Sequence, residues 1–160
     1  AALGLEAGVQ ALAPGLAAAR SVIFLGTGPG YPVALEGALK LKESACLPAQ
    51  GYPTQELRHG PVASVGPDTP VVLVHLESAH LDATAALARD LCAAGVPLVV
   101  LAARDAERFA APAQVLALPP APDLVAPLGA TVVLQLLALH VAAQRGQDMD
   151  APPRLVKSVV

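Results

Sequence analysis

Three stretches of this sequence gather side chains that can move protons or hold charge. Glu36, Lys40 and Glu43 are spaced i, i+4 and i+7, which puts them on one stripe of a helix. A carboxylate in that stripe can serve as a general base while the lysine keeps its charge and steadies an anionic intermediate. The same spacing also fits a solvated helix face with a Glu-to-Lys pair contributing roughly 0.2–0.5 kcal/mol. The second stretch is Glu56-Leu-Arg-His-Gly-Pro61, where Gly60 and Pro61 stop any helix and leave His59 exposed at its end. An imidazole there can carry a proton, or it can simply finish the helix. The third is Lys157, set among Leu155, Val156, Val159 and Val160 around Ser158. An apolar setting lowers a lysine pKa, as Schiff-base chemistry requires; an exposed terminal lysine is the plainer alternative.

A glycine loop, Gly26-Thr-Gly-Pro-Gly30, follows the apolar run Ser21–Leu25. Ligands of open α/β sheets gather at such strand ends and helix N-termini. The loop is not a dinucleotide fingerprint, because Tyr31 stands where the third glycine belongs. It also lacks the Lys-Ser/Thr ending of a nucleotide-phosphate loop. A turn needing positive φ is the alternative. Glu56-x-x-His59 has metal-ligand types, but no second such pair completes a site, so no metal is expected. His75, His80 and His140 lie in or beside apolar runs and read as structural. Cys46 and Cys92 could pair, although two thiols among many small residues fit a buried, reduced state better.

The elements that must carry these residues alternate between two periods. Ser21–Leu25, Pro70–Leu76, Leu98–Ala102 and Gln114–Leu118 are short runs dense in Val and Leu, as buried parallel strands are. Tyr31–Cys46 is a helix with Ala34, Ala38, Leu41 and Ala45 on one face. Leu81–Ala94 is a second, ended by Gly95, and Leu124–Ala143 a third, with Asp123 as N-cap and Arg145 and Gly146 at its end. Residues 1–19 form a lead-in that is helical as far as Pro14, and residues 151–160 an irregular tail. Strand and helix alternating at this spacing give βαβ units and a doubly wound parallel sheet.

A chain of 160 residues is the size of one domain and buries roughly 70% of its unfolded surface. No internal boundary or repeat is visible. Two Tyr, two Phe and no Trp leave the core to Ala, Leu and Val. Scattered basic residues, a net charge of −3 and so few rings argue against nucleic-acid binding. With 14% charged residues and a mean hydropathy of +0.56 the chain is unusually apolar. Leu124–Ala143 has the length of a membrane span, but Pro127, Gly129, Thr131, Gln135 and His140 favour a helix buried between protein surfaces. No basic region precedes the mildly apolar start and Glu6 interrupts it, so no signal peptide and a cytoplasmic location are expected.

Taken in order, Tyr31-Pro-Val-Ala-Leu-Glu-Gly-Ala-Leu-Lys-Leu-Lys-Glu43, Glu56-Leu-Arg-His-Gly-Pro61 and Leu155-Val-Lys-Ser-Val159 resemble the sugar isomerase (SIS) family. The likeness runs from Ser21 to Val159 and is strongest to the second SIS half of the glucosamine-6-phosphate synthase type. It implies a three-layer αβα sandwich around a mostly five-stranded parallel sheet. It further implies one SIS domain over 1–160, the C-terminal half of a two-SIS protein acting on fructose 6-phosphate or a related amino-sugar phosphate. Under the resemblance Glu43 is the base that moves a proton between C1 and C2. His59 opens the sugar ring and reaches a neighbouring subunit's site, and Lys157 forms the Schiff base. Lys40, the loop Gly26, Thr27 and Gly28, and Val156 make up the substrate-binding set. No cofactor is implied, and the partners are a second SIS half or an identical subunit.

Three departures stand out. Thr27 occupies the place of an Arg in the family's glycine loop, and Pro153-Arg154 that of an Arg-Asn pair. Where the phosphate-gripping half has a Ser/Thr-rich loop, this chain reads His75-Leu-Glu-Ser-Ala-His80. The resemblance is therefore to the half that supplies catalytic groups. An amino-sugar-phosphate deaminase half, or a non-catalytic module for sensing or dimerisation, would carry the same residues.

Overall fold

The computed structural model describes residues 2–109 and 111–151. Its elements are, in order, α1 (Glu6–Ala17), β1 (Val22–Gly26), α2 (Gly30–Ala45), β2 (Ala49–Pro53), β3 (Val71–His75), α3 (Leu81–Ala93), β4 (Leu98–Ala102), β5 (Gln114–Ala117) and α4 (Ala126–Gln144). One short 3-10 turn, Ala2–Leu5, precedes α1, and three more lie in the connections, two of them, Thr54–His59 and Pro61–Ser64, between β2 and β3.

The five strands form one parallel sheet in the order β2-β1-β3-β4-β5. β1, β3 and β4 are buried along their whole length. Continuous apolar runs, with no polar alternation, are what a strand covered on both faces needs. Val22, Phe24, Val72, Val74, Val99 and Leu101 point into the layer holding α1, α2 and α4. Ile23, Leu25, Val71, Leu73, Leu98 and Val100 point into the layer holding α3. The result is the expected αβα sandwich.

One glycine sets the depth of the first layer. A Cβ at Gly37 would lie 2.7 Å from Leu134 Cδ1 and 2.8 Å from Phe24 Cε1. The bare backbone lets α2 wedge between the sheet and α4. α4 buries Ala130, Val133, Leu134, Leu137, Ala138 and Val141 against α1 and α2, and leaves Leu128, Val132 and Leu139 on its outer side. Its length and composition alone would let it cross a membrane, but 44% of its most apolar window is buried in this fold.

Four expectations change. α1 runs through Pro14 to Ala17 instead of stopping there. Pro14 sits on the exposed face with Gln10, so solvent can serve the carbonyl its missing N–H leaves free. Val9, Leu12, Ala13 and Leu16 meanwhile hold the helix on the core. β2 has no apolar run to announce it; Ala49-Gln-Gly-Tyr-Pro53 becomes a strand by edge pairing with β1. Asp123 does not cap α4, whose first turn begins after Val125 with no side-chain cap. It pairs with Arg104 at 2.6 Å instead. Cys46 is exposed, not buried, because it takes the left-handed position (φ 50°) that ends α2.

Arg145 ties three helix ends together. It ends α4, and its guanidinium donates from Nε to Ala45 O (2.9 Å) and from Nη1 to Ala17 O (2.8 Å). Those are terminal carbonyls of α2 and α1, which no backbone donor inside either helix can reach. Charge-assisted bonds of this kind contribute about 1.5–3 kcal/mol each. Arg145→Met should therefore lose about 2–4 kcal/mol and lower Tm by roughly 5–12 °C, read by thermal unfolding of the chain. A shift under about 2 °C would mean that water caps these ends as well.

Candidate active site

α2 is amphipathic as its spacing requires: Val33, Ala34, Ala38, Leu41 and Ala45 are buried, while Glu36, Lys40 and Glu43 stay part-exposed. Lys40 Nζ donates to Glu43 Oε2 at 2.6 Å and lies 3.6 Å from Glu36 Oε1. The hydrogen bond to Glu43 holds the Lys40 pKa above its ordinary value; partial burial opposes this and the two carboxylate charges add to it. Lys40 is therefore an ammonium at neutral pH. It neither attacks nor accepts a proton there; it places a fixed positive charge beside Glu43. Such a charge can steady an anion formed when a proton leaves carbon, at the cost of some basicity in the carboxylate it bonds.

His59 ends the 3-10 turn Thr54–His59 and is exposed, as Gly60 and Pro61 predict. Gly60 has φ 143°, and a Cβ there would meet nothing within 4 Å, so the glycine serves the backbone angle and not a close contact. Leu57 is fully buried in the α3 layer, and Arg58 donates to Asp90 Oδ2 of α3 at 2.6 Å. Thr27 Oγ1 donates to Gln55 Oε1 at 3.5 Å, a long contact between the glycine loop and this segment.

These positions put Glu43 and His59 in different layers. α2 belongs with α1 and α4, the His59 segment with α3, and the sheet separates them. The structure does not bring the two residues together within one chain. Lys157 and Val156 lie outside the described residues.

The glycine loop Gly26–Gly30 closes the C-terminal end of β1, at the point where the strand order reverses between β1 and β3. Gly26 packs on the backbone of Gly30, and Gly30 on the carbonyl of Val74. Gly28 has φ 52°, and the Glu77 carboxylate occupies the space its side chain would take. Gly28 thus faces an acid, in a crevice where related sheet orders hold anions.

Of the remaining histidines, His75 and His140 are packed into the fold and His80 is exposed. His75 is 3% exposed, sits edge-on to Phe109 and lies 3.8 Å from Asp105 Oδ2. Burial lowers its pKa, outweighing the opposing pull of Asp105 and Glu77. His80 begins α3 in a left-handed conformation, and His140 approaches Glu6 at 3.3 Å. Sequence reasoning passed over Asp105, which also accepts from Ser78 Oγ at 2.6 Å. It passed over the Arg58–Asp90 pair too, since residues 32 apart carry no local signal of contact. An apolar cavity of about 380 Å3, lined by Ala85, Ala88, Cys92, Phe109 and Pro112 among others, lies on the α3 side and includes none of the expected site residues. Among the described residues no three His, Cys, Asp or Glu side chains could hold a metal ion together.

Residues 15–145 match the family model described as SIS domain. The chain is 40% identical over 160 residues to the isomerizing glutamine–fructose-6-phosphate aminotransferase of Caulobacter vibrioides, covering 99% of this chain and 26% of that protein. It is 42% identical over 159 residues to the aminotransferase of the same name from Acidithiobacillus ferridurans, again over 99% and 26%. It thus spans about a quarter of the length of these curated relatives. Among solved structures it is similar to the C-terminal domain of glucosamine-fructose-6-phosphate aminotransferase from Francisella tularensis. That match has a TM-score of 0.86 and 36% identity over 92% of this chain and 42% of that one. A parallel five-stranded sandwich, the ordered glutamate and histidine motifs and these matches lead to one assignment: the chain belongs to the SIS domain family.

Proposed function

We propose that this chain is the SIS half that carries the catalytic groups of a phosphosugar aminotransferase of the glucosamine-6-phosphate synthase type. Residues 1–160 form one SIS domain, the C-terminal half of a two-SIS protein. The substrate is fructose 6-phosphate or a related amino-sugar phosphate. His59 opens the sugar ring and Lys157 forms a Schiff base with the open-chain ketose. Glu43 then moves one proton between C2 and C1, while Lys40 holds its charge beside the base. The backbone of Gly26, Thr27 and Gly28, together with Val156, lines the substrate. A cytoplasmic location and no cofactor go with this reading.

The observation that carries the proposal is the 2.6 Å contact between Glu43 and a lysine that keeps its proton. A solvated helix face would serve stability equally with looser pairs; a part-buried carboxylate in close contact with a fixed positive charge supports a site where an anion is formed and steadied. The acid at Gly28 supports assigning the phosphate grip to the other SIS half. That relatives near 40% identity are aminotransferases supports synthesis over deamination.

The test is turnover by the full-length protein. Lys157→Ala should retain sugar-phosphate binding and lose conversion of fructose 6-phosphate to its aldose isomer. Wild-type turnover in that variant would remove the Schiff base from the mechanism.

A further inference from the structure

His59 is exposed, and among the described residues no side chain is bonded to its ring. What fixes its place is the segment that carries it. Thr54 and Leu57 anchor that segment from below. Beyond His59 come the open Gly60 and the turn Pro61–Ser64, which buries no residue. A cavity of about 250 Å3, lined by Arg58, Val62, Val65, Leu87, Asp90 and Leu91, separates this turn from α3. Packing therefore leaves the segment loosely seated on its C-terminal side. Across that gap Arg58 Nη2 donates to Asp90 Oδ2 at 2.6 Å.

We propose that the Arg58–Asp90 pair is a positioning device for His59, residue 58 being tied to α3 so that residue 59 points outward in a fixed direction. The inference rests on the role given to His59 above. Both partners are more than half exposed, so the pair contributes little to stability. Its location next to the exposed imidazole, across the cavity from α3, is where a tie would matter for direction. Arginine suits the task, since its planar guanidinium donates in fixed directions that a lysine point charge does not. Neither residue touches the reacting atoms.

The experiment uses the full-length protein and two substrates: fructose 6-phosphate, which must be ring-opened, and 5-deoxyfructose 6-phosphate, which cannot close the same ring. Arg58→Gln and Asp90→Asn should each lower kcat on fructose 6-phosphate by about 10- to 100-fold, with KM nearly constant. Both should keep wild-type turnover of the open-chain analogue and a Tm within about 2 °C of wild type. The double variant should be no slower than either single one, and Arg58→Lys should recover part of the loss. Unchanged kcat in both single variants, or equal losses on the two substrates, would overturn the positioning role. Failure of the underlying reading looks different: His59→Asn would then turn over fructose 6-phosphate at the wild-type rate.

Discussion

Glu43→Gln in the full-length protein should slow isomerisation of fructose 6-phosphate by about 10²–10⁴-fold while leaving the fold intact. Glutamine has the size of glutamate and still offers Lys40 an oxygen, so the 2.6 Å contact can persist. What it cannot do is accept a proton from carbon. The stability change should be small, because both groups are part-exposed and Lys40 keeps Glu36 as a second partner at 3.6 Å. The sign of the linkage agrees. Glu43 holds the Lys40 pKa up, so the pair's contribution is complete below the ordinary lysine pKa and fades only as pH climbs through the raised value. A stability comparison at neutral pH therefore measures the whole effect of losing the pair. Exchange of the transferred hydrogen with deuterium from solvent, followed by NMR on the open-chain 5-deoxyfructose 6-phosphate, isolates the step from ring opening. Wild-type exchange in Glu43→Gln would assign the base to another group.

The sequence revealed the middle of this fold better than its edges. β1, β3 and β4 were legible because strands buried on both faces must be apolar throughout, and Val22–Leu25, Val71–Val74 and Leu98–Leu101 are. β2 was not, because an edge strand has one unpaired side, and Gln50, Gly51 and Tyr52 satisfy it without any hydrophobic pattern. Gly51 has a reason visible only in three dimensions: a Cβ there would lie 2.9 Å from Leu35 Cδ2 on α2. Among the site residues, Glu36, Lys40 and Glu43 were legible as one stripe because helical periodicity is local. The exposure of His59 was legible from Gly60 and Pro61. The layer each residue occupies was not, since that depends on which face of the sheet each crossover takes. Arg58 meeting Asp90 and Arg145 meeting Ala17 and Ala45 are likewise contacts between elements far apart in the chain.

The separation of Glu43 from His59 by the sheet has a consequence that a mixing experiment can read. If both residues serve one reaction, they come from different copies of the chain, and a site is complete only where two copies meet. Exposed Leu35 and Leu39 on α2, and Leu128, Val132 and Leu139 on α4, give the Glu43 layer apolar surface that a neighbour would cover. Glu43→Gln and His59→Asn proteins should each be nearly inactive alone. Co-expressed or refolded together, they should regain about one quarter of wild-type activity. Half of randomly paired dimers are mixed, and each mixed dimer holds one site with both wild-type residues and one with neither. Two residues working within a single chain give a different result, because every chain in the mixture then lacks one of them. Activity in the mixture no higher than that of the separate variants would place Glu43 and His59 in the same chain's site, and would require the His59 segment to cross the β2 edge. A return to about a quarter, lost again when one tagged variant is purified free of the other, assigns them to opposite partners.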